Sequence, residues 1–266
     1  MTLPEKLVSI NELKRKADEL RPPKDWDQSF LEKVKIEFTY NSNKIEGNTI
    51  TYGQTVKLLR DLVTPKGATT GEVLDMVNHQ LVLNTIFKNY HSREITEESI
   101  KELHAALMKN IEQWNDDGSY SPGKYKAFEN VTVRSTGKIY KFMQPANVAK
   151  AMAELIRETN AKLSNSDASD PDRHPLTIAV FFHQRFLNEI HPFDDGNGRI
   201  GRIFTNLILI KKGYPPLFIQ DVDRLEYLRR FELTEKEPNA MLDFLADRLI
   251  ESLRAKIEYI EQGGAN

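Results

Sequence analysis

Between residues 191 and 202 the chain reads His191-Pro-Phe-Asp-Asp-Gly-Asn-Gly-Arg-Ile-Gly-Arg202, and two incompatible folds compete for it. Gly196-x-Gly198-x-x-Gly201 matches the dinucleotide fingerprint, and the acid Asp221 follows about twenty residues on, after the strand-like Leu217-Phe-Ile-Gln220. That fingerprint must follow a strand. Here it follows Thr177–Ile190, whose apolar residues recur at three- and four-residue spacing, and no alternation of strands with helices occurs around it. The segment is therefore a turn between two helices, and the fold is all-α.

Working outward, the same period predicts helices over 6–20, 27–46, 53–63, 71–90, 97–113, 146–162, 175–189, 199–212, 222–236 and 240–260. Thr69-x-x-Glu72 reads as a capping box, Gly213 follows a helix ending Lys211-Lys212, and Pro65 and Pro145 fall between helices. One region departs from the pattern. In Asn130-Val-Thr-Val-Arg-Ser-Thr-Gly-Lys-Ile-Tyr-Lys-Phe142, β-branched and aromatic residues flank Ser135-Thr-Gly137, which predicts a short β-hairpin. Ser164–Asp172 is a polar loop.

The 266 residues carry a formal charge of −2 and no cysteine, which excludes disulfides, thiolate catalysis and Cys-based zinc sites. The charge balance gives no reason to expect nucleic acid or an anionic membrane as partner. The first residues lack the basic and apolar regions of a signal peptide, and no apolar run is long enough to span a bilayer, so a cytoplasmic location is expected.

The physics of the turn points to an anion. Gly196 and Gly198 allow a bend or a close ligand, and the N–H groups of the helix that follows have no intrahelical partner. Arg199 and Arg202, three apart, share a face of the first turn. Cations there oppose the helix dipole at about 0.3–1 kcal/mol each, a sign that a polyphosphate would reverse. Asp195 suits either a divalent cation or an N-cap, and His191 suits either proton transfer near neutral pH or a helix end. Taken singly, these residues have ordinary structural uses. Those uses leave two arginines at the wrong end of a helix.

The twelve residues resemble the full motif of the Fic family, His-x-Phe-x-Asp/Glu-Gly-Asn-Gly-Arg-x-x-Arg. The resemblance extends over roughly residues 40–250, through Ile95-Thr-Glu…Leu103-His104, the hairpin, His174-Pro-Leu…His183…Asn188 and Gly213-Tyr-Pro-Pro216. One departure is Gly123-Lys-Tyr-Lys126, where the family often has Arg before the hairpin.

The resemblance implies a Fic-type helical domain and a protein adenylyltransferase that moves AMP from ATP to a hydroxyl of a target protein. By it His191 is the general base, and Gly196, Asn197 and Gly198 cradle the phosphates. Asp195 holds Mg2+, Arg199 meets the β-phosphate region, Arg202 meets the γ-phosphate, and Gly201 belongs to the ATP-binding loop. Phe193 anchors the loop in the core. Tyr227 resembles an adenine-pocket tyrosine of some relatives, although a helical Tyr is also ordinary core. The hairpin 131–142 resembles the flap on which relatives dock the target as an added strand.

Upstream, Ser42-Asn-Lys-Ile-Glu46-Gly47 resembles the family's inhibitory helix motif. Glu46 falls at a helix C-terminus, where a carboxylate is unfavourable, and pairing it with the misplaced arginines relieves both ends. The expected division is an N-terminal helical extension over 1–40, a catalytic domain over 41–250 that includes the motif 42–47, and a C-terminal helix end and tail over 251–266. Alternatives are a deAMPylating hydrolase that uses Glu46, and a nucleotide-binding regulator without catalysis. Self-modification and a homodimer stay open, as do the target, its acceptor residue and the nucleotide donor.

Overall fold

The structure, a computed structural model, describes residues 1–21, 28–110, 121–234 and 236–263. Among these residues the chain forms ten α-helices and one two-stranded sheet. The helices are α1 (Leu3–Leu20), α2 (Gln28–Ile45), α3 (Tyr52–Asp61), α4 (Thr70–Asn89), α5 (Glu97–Leu107), α6 (Pro145–Ser164), α7 (Pro175–Gln184), α8 (Asn197–Lys211), α9 (Arg224–Leu233) and α10 (Ala240–Glu261). The all-α reading holds. The capping box at Thr69 and Glu72 is present, and Gly213 takes a left-handed φ of 79° just past α8.

Several boundaries differ for local reasons. Pro145 opens α6 at its first position, where a missing N–H costs nothing, instead of lying between helices. The helix expected over 97–113 ends at Leu107, and residues 111–113 lie outside the described residues. Leu217–Gln220 forms no strand; its ladder partner is a side chain. Asn206 accepts from Leu217 N–H at 2.8 Å and donates to Leu217 C=O at 2.9 Å. The helix expected over 175–189 stays α-helical only to Gln184, and Arg185–Ile190 continues as a π-helical turn.

At the centre α7 packs against α8, which is buried almost all round from Asn197 to Ile210, as a helix apolar on every face must be. Around this pair α2, α4, α5, α6, α9 and α10 contribute to one apolar core. α1 lies along α10 and joins that core through Leu7 and Ile10, while Lys6 donates to Asp243 (2.6 Å) and Asp247 (2.8 Å). Residue 40 lies within α2 and residue 250 within α10, so continuous helices cross both expected boundaries.

The hairpin pairs β1 (Val131–Val133) with β2 (Ile139–Lys141) in the register Val131↔Lys141, Thr132↔Tyr140, Val133↔Ile139. A lone hairpin is marginal in water unless it packs on something. Here Tyr140 O–H donates to Asn188 C=O (2.8 Å), and the Arg134 guanidinium covers the Tyr140 ring at 3.9 Å while donating to Asn188 Oδ1 (2.8 Å). At the tip, Ser135 donates through N–H (2.8 Å) and O–H (2.5 Å) to the Glu232 carboxylate of α9. The hairpin is thereby tied to the π turn at one side and to α9 at the other.

Candidate active site

A cleft of about 720 Å³ opens between the hairpin, the π turn, the N-terminus of α8, α9 and the end of α2. His191 stands at its wall in the left-handed conformation (φ 48°, ψ 65°). Pro192 disfavours α-helical geometry at the preceding residue, so the helix cannot run on through His191. The π turn ends instead with His191 N–H donating to Phe186 C=O at 2.9 Å. A non-glycine residue held there costs on the order of 1–3 kcal/mol.

The imidazole Nδ1 lies 2.9 Å from Leu187 C=O, which can only accept, so Nδ1 carries the hydrogen and Nε2 keeps its lone pair. Phe142 stacks on the ring at 3.9 Å and 19°. Burial pushes the imidazole down to about 4. At neutral pH the ring is an uncharged acceptor in a fixed tautomer.

The loop after His191 is closed by its own asparagine. Asn197 Oδ1 accepts from Phe193 N–H (2.9 Å), and Nδ2 donates to Phe193 C=O (2.7 Å). Its side chain is thus spent on the loop rather than on phosphate. Phe193 is fully buried and stacks on His104 of α5 at 3.7 Å, in agreement with an anchoring role. His104 donates from Nε2 to Asp195 C=O (2.9 Å) and accepts Gly123 N–H at Nδ1 (2.8 Å).

α8 is capped by Gly196 (φ 75°), with no capping side chain on its first N–H groups. Asp195 is therefore not the N-cap. One of its oxygens takes Gly196 N–H at 2.6 Å, and the other lies 3.5 Å from Arg199, with the side chain 64% exposed at the cleft.

The two arginines part. Arg199 turns toward α4 and α5, where it pairs with Asp75 and donates to Met108 Sδ (3.6 Å), and it is no part of the cleft wall. Arg202 turns toward α2. It donates from Nε to Ser42 Oγ (2.9 Å), and through one terminal nitrogen to Ser42 C=O (2.9 Å) and Glu46 Oε1 (2.6 Å).

α2 ends at Ile45, just before Glu46 and the left-handed Gly47 (φ 97°), so the carboxylate projects off the helix end. Burial opposes ionisation of Glu46, but Arg202 and Arg199 outweigh it and hold the carboxyl below its ordinary value. A Cβ built on Gly198 would collide with Glu46 Oε1. The carboxylate thus rests on the open first turn of α8, the position that the sequence marks for an anion.

Two expected nucleotide contacts have other duties. A Cβ on Gly201 would stand 2.7 Å from Leu187 Cδ2, so this glycine lets α8 approach the π turn. Tyr227 is buried, and its O–H donates to His183 Nε2 at 2.8 Å, while His183 Nδ1–H meets Thr205 Oγ1 at 2.8 Å. The tyrosine contributes to the cleft wall, but its hydroxyl belongs to the core.

Sequence reasoning missed Asp75, the partner of Arg199, and Arg224, whose Nε donates to Ile45 C=O (2.7 Å) and caps the helix that ends just before Glu46. Neither stands out in its own helix, and only the packing of α2 and α4 against α8 and the reach of Arg224 to the end of α2 reveal them.

A sequence model of the Fic/DOC family matches residues 94–209, from just before α5 into the last turn of α8. A Fic domain containing signalling protein from Bacteroides thetaiotaomicron VPI-5482 is 30% identical, with a TM-score of 0.84 over 96% of this chain and 97% of that one. The chain belongs to the Fic family.

Fic-1 (residues 134–508) of C. elegans shares the fold at 22% identity, with a TM-score of 0.76 over 98% of this chain and 73% of that one. The protein adenylyltransferase Fic of Drosophila grimshawi is 29% identical over 210 residues, which are 78% of this chain and 40% of that protein. The chain thus spans about two fifths of the length of the curated relatives it matches. The family match begins well after residues 42–47, so the contact between Glu46 and the Fic motif is a property of the fold beyond the matched segment.

Proposed function

We propose that this Fic-family chain is a protein adenylyltransferase restrained by Glu46. The observation that carries the reading is the pairing of a neutral His191, its Nε2 lone pair free, with an uncapped helix N-terminus in the same cleft. The protein adenylyltransferases among its relatives support the same chemistry.

In this reading ATP lays its phosphates on the first turn of α8, whose N–H groups and Arg202 offset their charge. A target hydroxyl, held in the cleft beside the hairpin 131–142, gives its proton to His191 Nε2 as its oxygen attacks the α-phosphorus. The bond from that phosphorus to the bridging oxygen breaks, and pyrophosphate leaves. The protein's contribution is alignment and charge, since phosphoryl transfer needs little covalent help. Asp195, an exposed carboxylate beside the anion site, suits a Mg2+ carried in by the nucleotide, which would neutralise phosphate charge there.

Glu46 sits where a phosphate is expected and holds Arg202, so the nucleotide must displace it or bind out of line. No helix of the described residues is long and apolar enough to cross a membrane. A cytoplasmic location belongs to the same proposal.

The test is incubation with ATP labelled at the α-phosphate, using the wild type, Glu46→Gly and Glu46→Gly combined with His191→Ala. The label should appear on protein in Glu46→Gly and fall by two orders of magnitude or more, about the contribution of a general base, when His191 is removed. Label released from premodified protein only when Glu46 is intact would instead mark a hydrolase.

A further inference from the structure

The left-handed backbone at His191 is strained, and something must hold it. Its carbonyl neighbours are pinned by a segment that the Fic motif does not include. Lys126 N–H donates to Pro192 C=O at 2.9 Å, and the Lys126 ammonium donates to Ile190 C=O at 3.2 Å and to Asn130 Oδ1 at 2.5 Å. Asn130 Nδ2 in turn donates to Phe193 C=O at 3.0 Å. The peptide carbonyls on both sides of His191 are therefore held by one five-residue strap. On the N-terminal side Met143 N–H adds a bond to Glu189 C=O at 3.0 Å.

The side chains continue the clamp. Phe142 lies against the His191 ring at 3.9 Å, and the Lys126 ammonium sits 5.9 Å from the same phenyl ring. Lys126 is only 3% exposed. A lysine is seldom buried so deeply without a partner, and here the partners are the catalytic loop's own carbonyls. Burial lowers the Lys126 ammonium to about 8, while Asp194 and Glu129 favour its charge.

We propose that Lys126 and Asn130 are positioning residues for the transfer reaction: together they hold the strained His191 peptide so that its Nδ1–H stays on Leu187 and Nε2 stays aimed into the cleft. Neither lines the cleft. The strap explains why a left-handed histidine persists between a π turn and a proline, because at least three hydrogen bonds over-determine it. It also explains what a basic residue does just before the hairpin, at the place where this chain departs from the family's usual arginine. The inference rests on His191 acting as the base in the reading above, so the test needs one measurement that does not depend on transfer.

The experiment uses the full chain carrying Glu46→Gly, with magnesium and α-labelled ATP, and reads self-modification. Lys126→Met should lower the maximal rate about a hundredfold, the effect expected of a displacement near 1 Å, while the KM for ATP stays unchanged. Lys126→Arg, which keeps a charged donor, should restore most of the rate. An undiminished rate in Lys126→Met overturns the proposal, and so does a raised KM alone, which would make Lys126 a nucleotide contact.

Asn130→Ala is the companion, removing the Phe193 anchor if Lys126→Met fails to fold. Nitrogen-detected NMR of the His191 imidazole supplies the independent measurement. The parent and Lys126→Arg should show one tautomer with hydrogen on Nδ1, and Lys126→Met or Asn130→Ala a mixture. If the parent transfers nothing, the functional reading falls while this spectrum still decides the strap. An unchanged tautomer in both variants overturns it.

Discussion

Removing Glu46 perturbs one carboxylate and changes the chemistry open to the whole cleft. Its Oε1 lies 2.6 Å from Arg202, whose side chain is 4% exposed, whereas the glutamate side chain is 37% exposed. Arg202 is therefore nearly cut off from water. A hydrogen bond to a charged group contributes about 1.5–3 kcal/mol net, and the solvent-facing glutamate places this one toward the lower end.

A nucleotide that must displace the bond loses that amount. At about 1.4 kcal/mol per tenfold, Glu46→Gly should raise productive transfer about tenfold. Arg202 keeps its bonds to Ser42 Oγ and C=O, so the guanidinium stays in place to receive a phosphate. Arg202→Ala should not activate, since it removes the inhibitor's partner together with the phosphate contact.

The assay is incorporation of labelled AMP by the wild type, Glu46→Gly, Arg202→Ala and the double mutant. Equal incorporation by the wild type and Glu46→Gly refutes the restraint. A double mutant as active as Glu46→Gly shows that release does not act through Arg202. Mild acid should not substitute for the mutation. The Glu46 carboxyl is held below its ordinary 4.5, so the pair's contribution is complete above that value and is lost only as pH falls through the lower folded value.

Three further outcomes are expected. His191 is pushed down to about 4, so its neutral form is lost only near that pH; the rate of Glu46→Gly should stay flat across the ordinary histidine range, and a break near 6.5 in the pH–rate profile would count against it. Gly201→Ala forces a Cβ to within 2.7 Å of Leu187, whose carbonyl holds His191; overpacking of about 1–3 kcal/mol should lower both the melting temperature and transfer, and unaltered values for both would remove the packing account. Asp195→Ala should weaken Mg2+-dependent nucleotide binding, measured by calorimetry, and leave the melting temperature in place, since Gly196 and not Asp195 caps α8; the opposite pair of results would make Asp195 a structural residue.

What could be read along the chain was whatever short-range physics writes there. Apolar period set the helices, β-branched residues around Ser135-Thr-Gly137 set the hairpin, and the glycines with the misplaced Arg202 marked an anion site in front of α8. Glu46 was legible for the same reason: a carboxylate at the end of a helix is a local misfit, and misfits can be seen without a structure. Family resemblance attached the chemistry to His191.

Tertiary structure decided where side chains of one local pattern end up. Arg199 and Arg202 share a helical face by spacing, yet α4 offers Asp75 to one and the turn just past α2 offers Glu46 to the other. Asn197 and Gly201 sit in the motif as if for a ligand, but the first closes the loop on Phe193 and the second makes room for Leu187. The left-handed turn at His191 and the strap from Lys126 depend on hydrogen bonds between segments more than sixty residues apart. Periodicity reports which face of a helix is apolar. It carries no information about which polar partner waits across the interface, because that is settled only when the helices pack.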